Sequence, residues 1–137
     1  MLALLLTAAL SSPQALVWYD RLLAEGGYGR FERERAAFLI EERDGTLTLE
    51  PWPVSAHRHA SFRGAIPPRT IAIVHTHPRR FPEPSAHDRA EAQRLGIPII
   101  VVTPRSVIAA EPSAARTRVL SSGTTRVLSA RRTSLPR

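Results

Sequence analysis

Two runs of aliphatic, mostly β-branched residues, Ile71 to Val74 and Ile97 to Val102 with only Pro98 breaking the second, constrain this chain more than any other feature. A run without polar alternation reads as a strand buried on both faces, so each demands cover above and below. Between them Ser85 opens a stretch of alanines and charges that reaches Leu95 and stops at Gly96. Ser85 is placed to be the N-cap of a helix and Gly96 its C′ residue.

The rest of the chain fits around that unit. Over residues 14–25, Leu16, Tyr19, Leu22 and Leu23 recur at near-helical spacing, and Gly26, Gly27 and Gly29 supply the stop. Glu34 to Glu42 followed by Asp44-Gly45 and the alternating Thr46-Leu47-Thr48-Leu49 predicts a β-hairpin closed by a two-residue turn. Residues 51–70, with Pro67-Pro68, read mostly as loop, with room for a short strand. Val107 to Ala110 is a further short strand after the Pro104-Arg105 turn. Helix, hairpin, strand, helix, strand, strand describes an α+β (α/β) domain, a mixed sheet with helices packed on it. The domain is expected over residues 1–112. Residues 113–137 form an Arg-rich tail expected to be mobile, in which Val119-Leu120 and Val127-Leu128 each follow an arginine and one could add an edge strand.

Composition narrows the chemistry. With 137 residues there is room for one domain, and without cysteine there are no disulfides, thiolate metal sites or cysteine nucleophiles. The net charge of +7 is unevenly spread: residues 1–115 carry 13 Arg against 12 acids, residues 116–137 six Arg and no acid. A nearly neutral body with a basic tail makes nucleic acid an unfavoured partner. The apolar run Leu2 to Leu10 resembles a signal-peptide core. No Lys or Arg precedes it, however, and cleavage after Ala15 would put Pro13 three residues before the cut. A buried first helix and a cytoplasmic protein are the expectation, with export the alternative. No stretch is long enough to span a bilayer. The sequence sets no oligomeric state.

The residues that carry chemistry are His75-Thr76-His77, then seven residues to Ser85, then Asp88. Histidines at i and i+2 of a strand share a face, their Cα atoms roughly 6 to 7 Å apart, close enough to hold one ion. Asp88, on the same side of the following helix as Ser85, could bring a carboxylate to that ion. Three ligands of N and O type leave a fourth zinc position for water, the arrangement of a catalytic site. A competing explanation covers part of this set: Ser85 and Asp88 have capping-box spacing and would start the helix without any metal. It leaves His75 and His77 at the end of an apolar strand unexplained.

In type and spacing these residues resemble the motif of the JAMM metallopeptidases of the JAB/MPN family, H-x-H-x7-S-x2-D with a glutamate upstream. The resemblance implies a JAB/MPN-like, cytidine-deaminase-like fold and one zinc ion held by His75, His77 and Asp88. It also implies that Ser85 helps to hold the tetrahedral oxyanion and that the upstream glutamate is the general base. That glutamate usually opens a segment E-x-x-small-apolar-apolar, which Glu34-Arg35-Ala36-Ala37-Phe38-Leu39 fits, with Ala37 where many members have glycine. Glu34 is thus the expected base, with Glu32, Glu41 and Glu42 as competitors. The implied activity is hydrolysis of a peptide or isopeptide bond in a protein or peptide substrate, with the tail of a ubiquitin-like modifier as one such substrate. A non-catalytic JAB/MPN-like binding module and a nucleic-acid-associated protein using the basic tail are the alternatives.

Other residues read as less informative. His57-Arg58-His59 repeats the H-x-H pattern without a following serine and aspartate, and reads as exposed loop. His87 diverges from Asp88 by about 100° around a helix. Trp18, Tyr19 and Trp52 read as core or rim packing.

Overall fold

The computed structural model describes residues 2–28, 34–53, 64–78, 80–113 and 117–122. The two apolar runs form the middle of its sheet. Strand β3 (Thr70–Thr76) and strand β4 (Ile99–Val102) lie parallel, joined through helix α3 (Ala86–Leu95), as parallel neighbours require a crossover. Val74, Ile100, Val101 and Val102 are wholly buried, which is why no polar residue interrupts these runs. On the other side of β3, strand β1 (Ala36–Glu41) runs antiparallel, with β2 (Leu47–Pro51) outside it. Beyond β4 come β5 (Ser106–Ala110) and β6 (Thr117–Ser122), both antiparallel to their neighbours, giving the order β2-β1-β3-β4-β5-β6.

Helices cover both faces. Helix α1 (Leu2–Leu10) is followed almost at once by α2 (Pro13–Glu25). Ser12 is the N-cap of α2, its hydroxyl accepting from the Ala15 N–H, and Pro13 takes the first helical position, where no N–H is needed. Leu10, Ala15, Tyr19, Leu22 and Leu23 pack on Ala37, Leu39, Ala72, Val74, Ile100, Val102, Val107 and Ala109. On the opposite face Ala92 of α3 packs with Phe38, Ile73, Ile99 and Ala110, with Trp52 at the margin. Strand alternation therefore assigns residues by parity. On β3, His75 and His77 share the α3 side with Ile73, whereas Thr76 shares the α2 side with Val74. On the approach to β1, Glu34 has the parity of Phe38 and Arg35 that of Ala37.

The expected mixed sheet with packed helices is the fold found. Three local features differ from or extend the sequence reading. The hairpin has a three-residue loop instead of a two-residue turn: Gly45 N–H donates to the Glu42 carbonyl, Glu42 N–H donates to the Thr46 carbonyl, and Gly45 takes φ +83°. A type I turn followed by a left-handed residue makes the bulge that lets a right-twisted hairpin close, and Asp44 secures it by accepting from the Thr46 N–H and hydroxyl. The strand read from Glu34 begins at Ala36. The sheet also runs past residue 112, because Val119 and Leu120 lie in β6, and Leu120 packs against the α2-side core. Gly29, Glu32, His57, His59 and Val127-Leu128 lie outside the described residues. Among the described residues no helix is long and apolar enough to cross a membrane.

Candidate metal centre

The site forms where β3 ends. The register that pairs Ala36 with His75 carries Glu34, two residues before Ala36, to the level of His77. Its carboxylate lies between the two rings, with Oε2 3.9 Å from His75 Nδ1 and Oε1 4.0 Å from His77 Nε2. The rings are perpendicular, with centroids 4.6 Å apart. One ligand atom each from Glu34, His75 and His77 falls within 4.8 Å of the others. Asp88 closes the group from α3, its Oδ1 3.0 Å from His75 Nε2 and its Oδ2 3.7 Å from His77 Nε2. All four side chains are largely buried.

Local structure aims each group. Ser85 is the N-cap of α3, and its N–H and hydroxyl both donate to Asp88 Oδ2, at 2.7 and 2.9 Å, while its oxygen accepts from the Asp88 N–H at 3.1 Å. The capping box is thus present, and it leaves Asp88 Oδ1 for His75. On His77, Nδ1 lies 3.0 Å from the Phe81 carbonyl, which can only accept. Nδ1 therefore carries the hydrogen in the neutral ring, and the Nε2 lone pair faces the carboxylates. The His77 backbone is held by its N–H donating to the Val102 carbonyl.

Electrostatics set the two histidines apart. Burial alone would lower the His75 pKa, but the close carboxylates of Asp88 and Glu34 outweigh it and raise it to about 9. Burial, with a charged His75 beside it, holds His77 below the ordinary imidazole range. Asp88 is driven the other way by burial, yet contact with His75 and the two Ser85 hydrogen bonds bring it well below the usual carboxylate range. In the metal-free chain one positive charge is therefore held on His75 against the carboxylates. A divalent cation satisfies the same demand. Nε2 of His75 is buried and, despite its 3.0 Å approach to Asp88, has no aligned hydrogen bond. An unsatisfied ring nitrogen among a second imidazole and two carboxylates fits a zinc-type ion.

The family model for prokaryotic homologs of the JAB domain matches residues 19–120. This chain belongs to that family. No curated protein and no solved structure matches it. The JAB-domain match runs from within α2 into β6 and so takes in β1 to β5, most of β6, α3, and Glu34, His75, His77, Ser85 and Asp88.

Within this JAB domain, two of the competing glutamates, Glu41 and Glu42, are set apart by position. Glu41 and Glu42 lie at the hairpin end of β1, and Glu42 accepts from the Thr48 hydroxyl there. His87 is exposed beside Asp88. Tyr19 is buried, while Trp18 donates its Nε1–H to the Leu47 carbonyl and Trp52 packs against Phe38. One contributor to the site gave no sequence signal: the Phe81 carbonyl, invisible because any residue supplies one.

Proposed function

We propose that this JAB-domain chain is a zinc-dependent metallopeptidase that hydrolyses a peptide or isopeptide bond, with the C-terminal tail of a ubiquitin-like modifier as its substrate class. The observation that carries the reading is the convergence of Glu34, His75, His77 and Asp88 at one end of β3. His75, His77 and Asp88 hold the ion. Asp88 is the nearer carboxylate and has one oxygen left over by Ser85, whereas Glu34 stands about an ångström farther back from His75. When bound, zinc supplies polarisation of the scissile carbonyl and a lowered pKa for water.

The chain's own residues do the rest. The Glu34 carboxylate, near 4 Å from both rings, takes a proton from water and then delivers it to the leaving amine. Mostly buried, it works in a partly desolvated setting. The Ser85 hydroxyl is exposed at the start of α3 and turns from Asp88 Oδ2 to donate to the developing oxyanion, worth about 2.7 to 4 kcal/mol for a donor of that kind.

The test compares wild type with Glu34→Gln. Elemental analysis is expected to find one zinc per chain in both, with only wild type cleaving modifier fusions or isopeptide-linked conjugates. Zinc bound with no hydrolysis by wild type would overturn the peptidase reading in favour of a binding module, and no zinc in either would overturn the metal centre.

A further inference from the structure

Thr76 sits between His75 and His77 but faces away from both, being on the α2 side of β3. It is buried beneath Gly26, the residue that ends α2; a methyl group on Gly26 would come 3.2 Å from Thr76 Oγ1 and 3.4 Å from Arg35 Cγ. The register that pairs Ala36 with His75 makes Arg35 and Thr76 the next partners. In a regular hydrogen-bonded antiparallel pair, each residue donates its N–H to the other's carbonyl. Here only one bond takes that form, from Thr76 N–H to the Arg35 carbonyl at 2.8 Å. The Arg35 N–H donates to Thr76 Oγ1 at 2.9 Å instead, so a side-chain oxygen stands where a strand carbonyl would. The ladder ends there, and β1 starts at Ala36.

That substituted bond lies one residue from Glu34. The Arg35 N–H belongs to the peptide unit attached to the Glu34 Cα, and the Arg35 carbonyl is fixed by the same threonine. The Glu34 side chain thus departs from a backbone clamped on one side, and its carboxylate stands 3.9 and 4.0 Å from the two rings, beyond direct hydrogen bonding. Loss of the bond to Thr76 Oγ1 would free the Glu34–Arg35 peptide to shift against β3 and carry the carboxylate with it.

We propose that Thr76 is the positioning residue for Glu34: its hydroxyl, by holding the Glu34–Arg35 peptide, sets how far the carboxylate stands from His75 and His77. The catalytic consequence rests on the peptidase reading above; the positioning itself does not. Two comparisons isolate the hydroxyl, Thr76 against Thr76→Val at constant shape and Thr76→Ser against Thr76→Ala at constant smaller volume. The second pair carries the test should Thr76→Val fail to fold. Zinc is titrated into each metal-free protein while the Glu34 carboxyl carbon and the His75 and His77 ring signals are followed by NMR.

In wild type and Thr76→Ser, zinc is expected to shift all three residues. In Thr76→Val and Thr76→Ala the ring signals shift as before, the Glu34 response falls to roughly half or less, and kcat drops on the order of 100-fold at unchanged KM, as for a misplaced reacting group. An equal Glu34 response in all four proteins overturns the proposal. Ring signals indifferent to zinc in wild type overturn the metal centre and the proposal with it. The expected shifts with no substrate cleaved by wild type remove the peptidase reading and leave the positioning role standing.

Discussion

Ser85 and Asp88 bind each other through three hydrogen bonds, and the carboxylate oxygen those bonds leave over is the one that meets His75. Both Ser85 donors converge on Oδ2, and Oδ1 stands 3.0 Å from His75 Nε2. A helix cap and a metal ligand are often alternative explanations for one aspartate, but here one geometry is compatible with both. The cap fixes the rotamer, and the rotamer aims the free oxygen into the site.

Removing the serine hydroxyl should therefore have two effects at once. Ser85→Ala is expected to cost about 1 kcal/mol of stability through the lost cap, and to weaken zinc binding by about 10-fold through the freed carboxylate. Denaturant unfolding of the metal-free protein reads the first, and competition with a chromogenic chelator the second. Unchanged zinc affinity alongside the stability loss would show that the cap does not orient Asp88.

The metal-free chain should lose stability in mildly alkaline solution. His75 has a folded pKa raised to about 9 against an unfolded value of 6.5, so its contribution is complete below pH 6.5 and is lost as pH rises through 9. His77, lowered by burial, is neutral in the folded state across that window and half-charged in the unfolded state only at its lower edge, so it offsets the loss by about 0.4 kcal/mol at most. Asp88, with its pKa lowered, contributes above the ordinary carboxylate pKa and loses that contribution only in acid. Urea unfolding between pH 6.5 and 9.5 should fall by on the order of 3 kcal/mol, and His75→Ala should flatten the dependence. Zinc should reverse the trend, because its binding displaces the His75 proton and strengthens as that proton is lost.

The β3–α3–β4 unit was legible because each of its signals is local: unbroken aliphatic runs, a serine at one helix end, and Gly96 at φ +70° at the other. The histidine pair was legible for the same reason, since strand parity alone puts both rings on one side. What separates Glu34 from Glu41 and Glu42 is not local. It is the register of β1 on β3, which four glutamates and a run of small and apolar residues do not fix, and which sends Glu41 and Glu42 to the far end of the strand. The hairpin loop escaped because Asp44-Gly45 serves equally in a two-residue turn and as the end of a bulged one. β6 was legible only as one of two candidate edge strands, because Thr117–Ser122 alternates weakly and carries Arg118 near its start, and pairing with β5 gives it its place.

The first helix is tied to the domain by one buried polar contact that can be removed cleanly. The Tyr19 hydroxyl donates to the Leu10 carbonyl at 2.7 Å at the end of α1, and burial pushes its pKa far up, so it stays a donor at any ordinary pH. Tyr19→Phe keeps the ring in the core and leaves that carbonyl without its phenol, at a cost of about 1 to 3 kcal/mol. Faster amide exchange over residues 2–10 with zinc stoichiometry unchanged is the expected result, measured by mass spectrometry. Zinc loss in Tyr19→Phe would mean that α1 supports the site as well as the core.

Two truncations test whether β6 belongs to the folded unit. A chain ended after Ser122 keeps all six strands, whereas one ended after Pro112 strips β5 of its partner along Ser106–Ala110 and uncovers the core position filled by Leu120. An edge strand so exposed invites pairing with other chains. The longer truncation product should unfold within about 1 kcal/mol of the full chain and bind zinc equally, since it alters none of the strands, while the shorter should be several kcal/mol less stable or aggregate, as expected when core area and a strand ladder are lost together. The longer product also lacks four of the six arginines of the acid-free tail, so equal zinc binding separates the metal centre from any electrostatic role of those residues. Equal stability of both products would mean that the sheet ends at β5 in solution and that β6 contributes nothing to the fold.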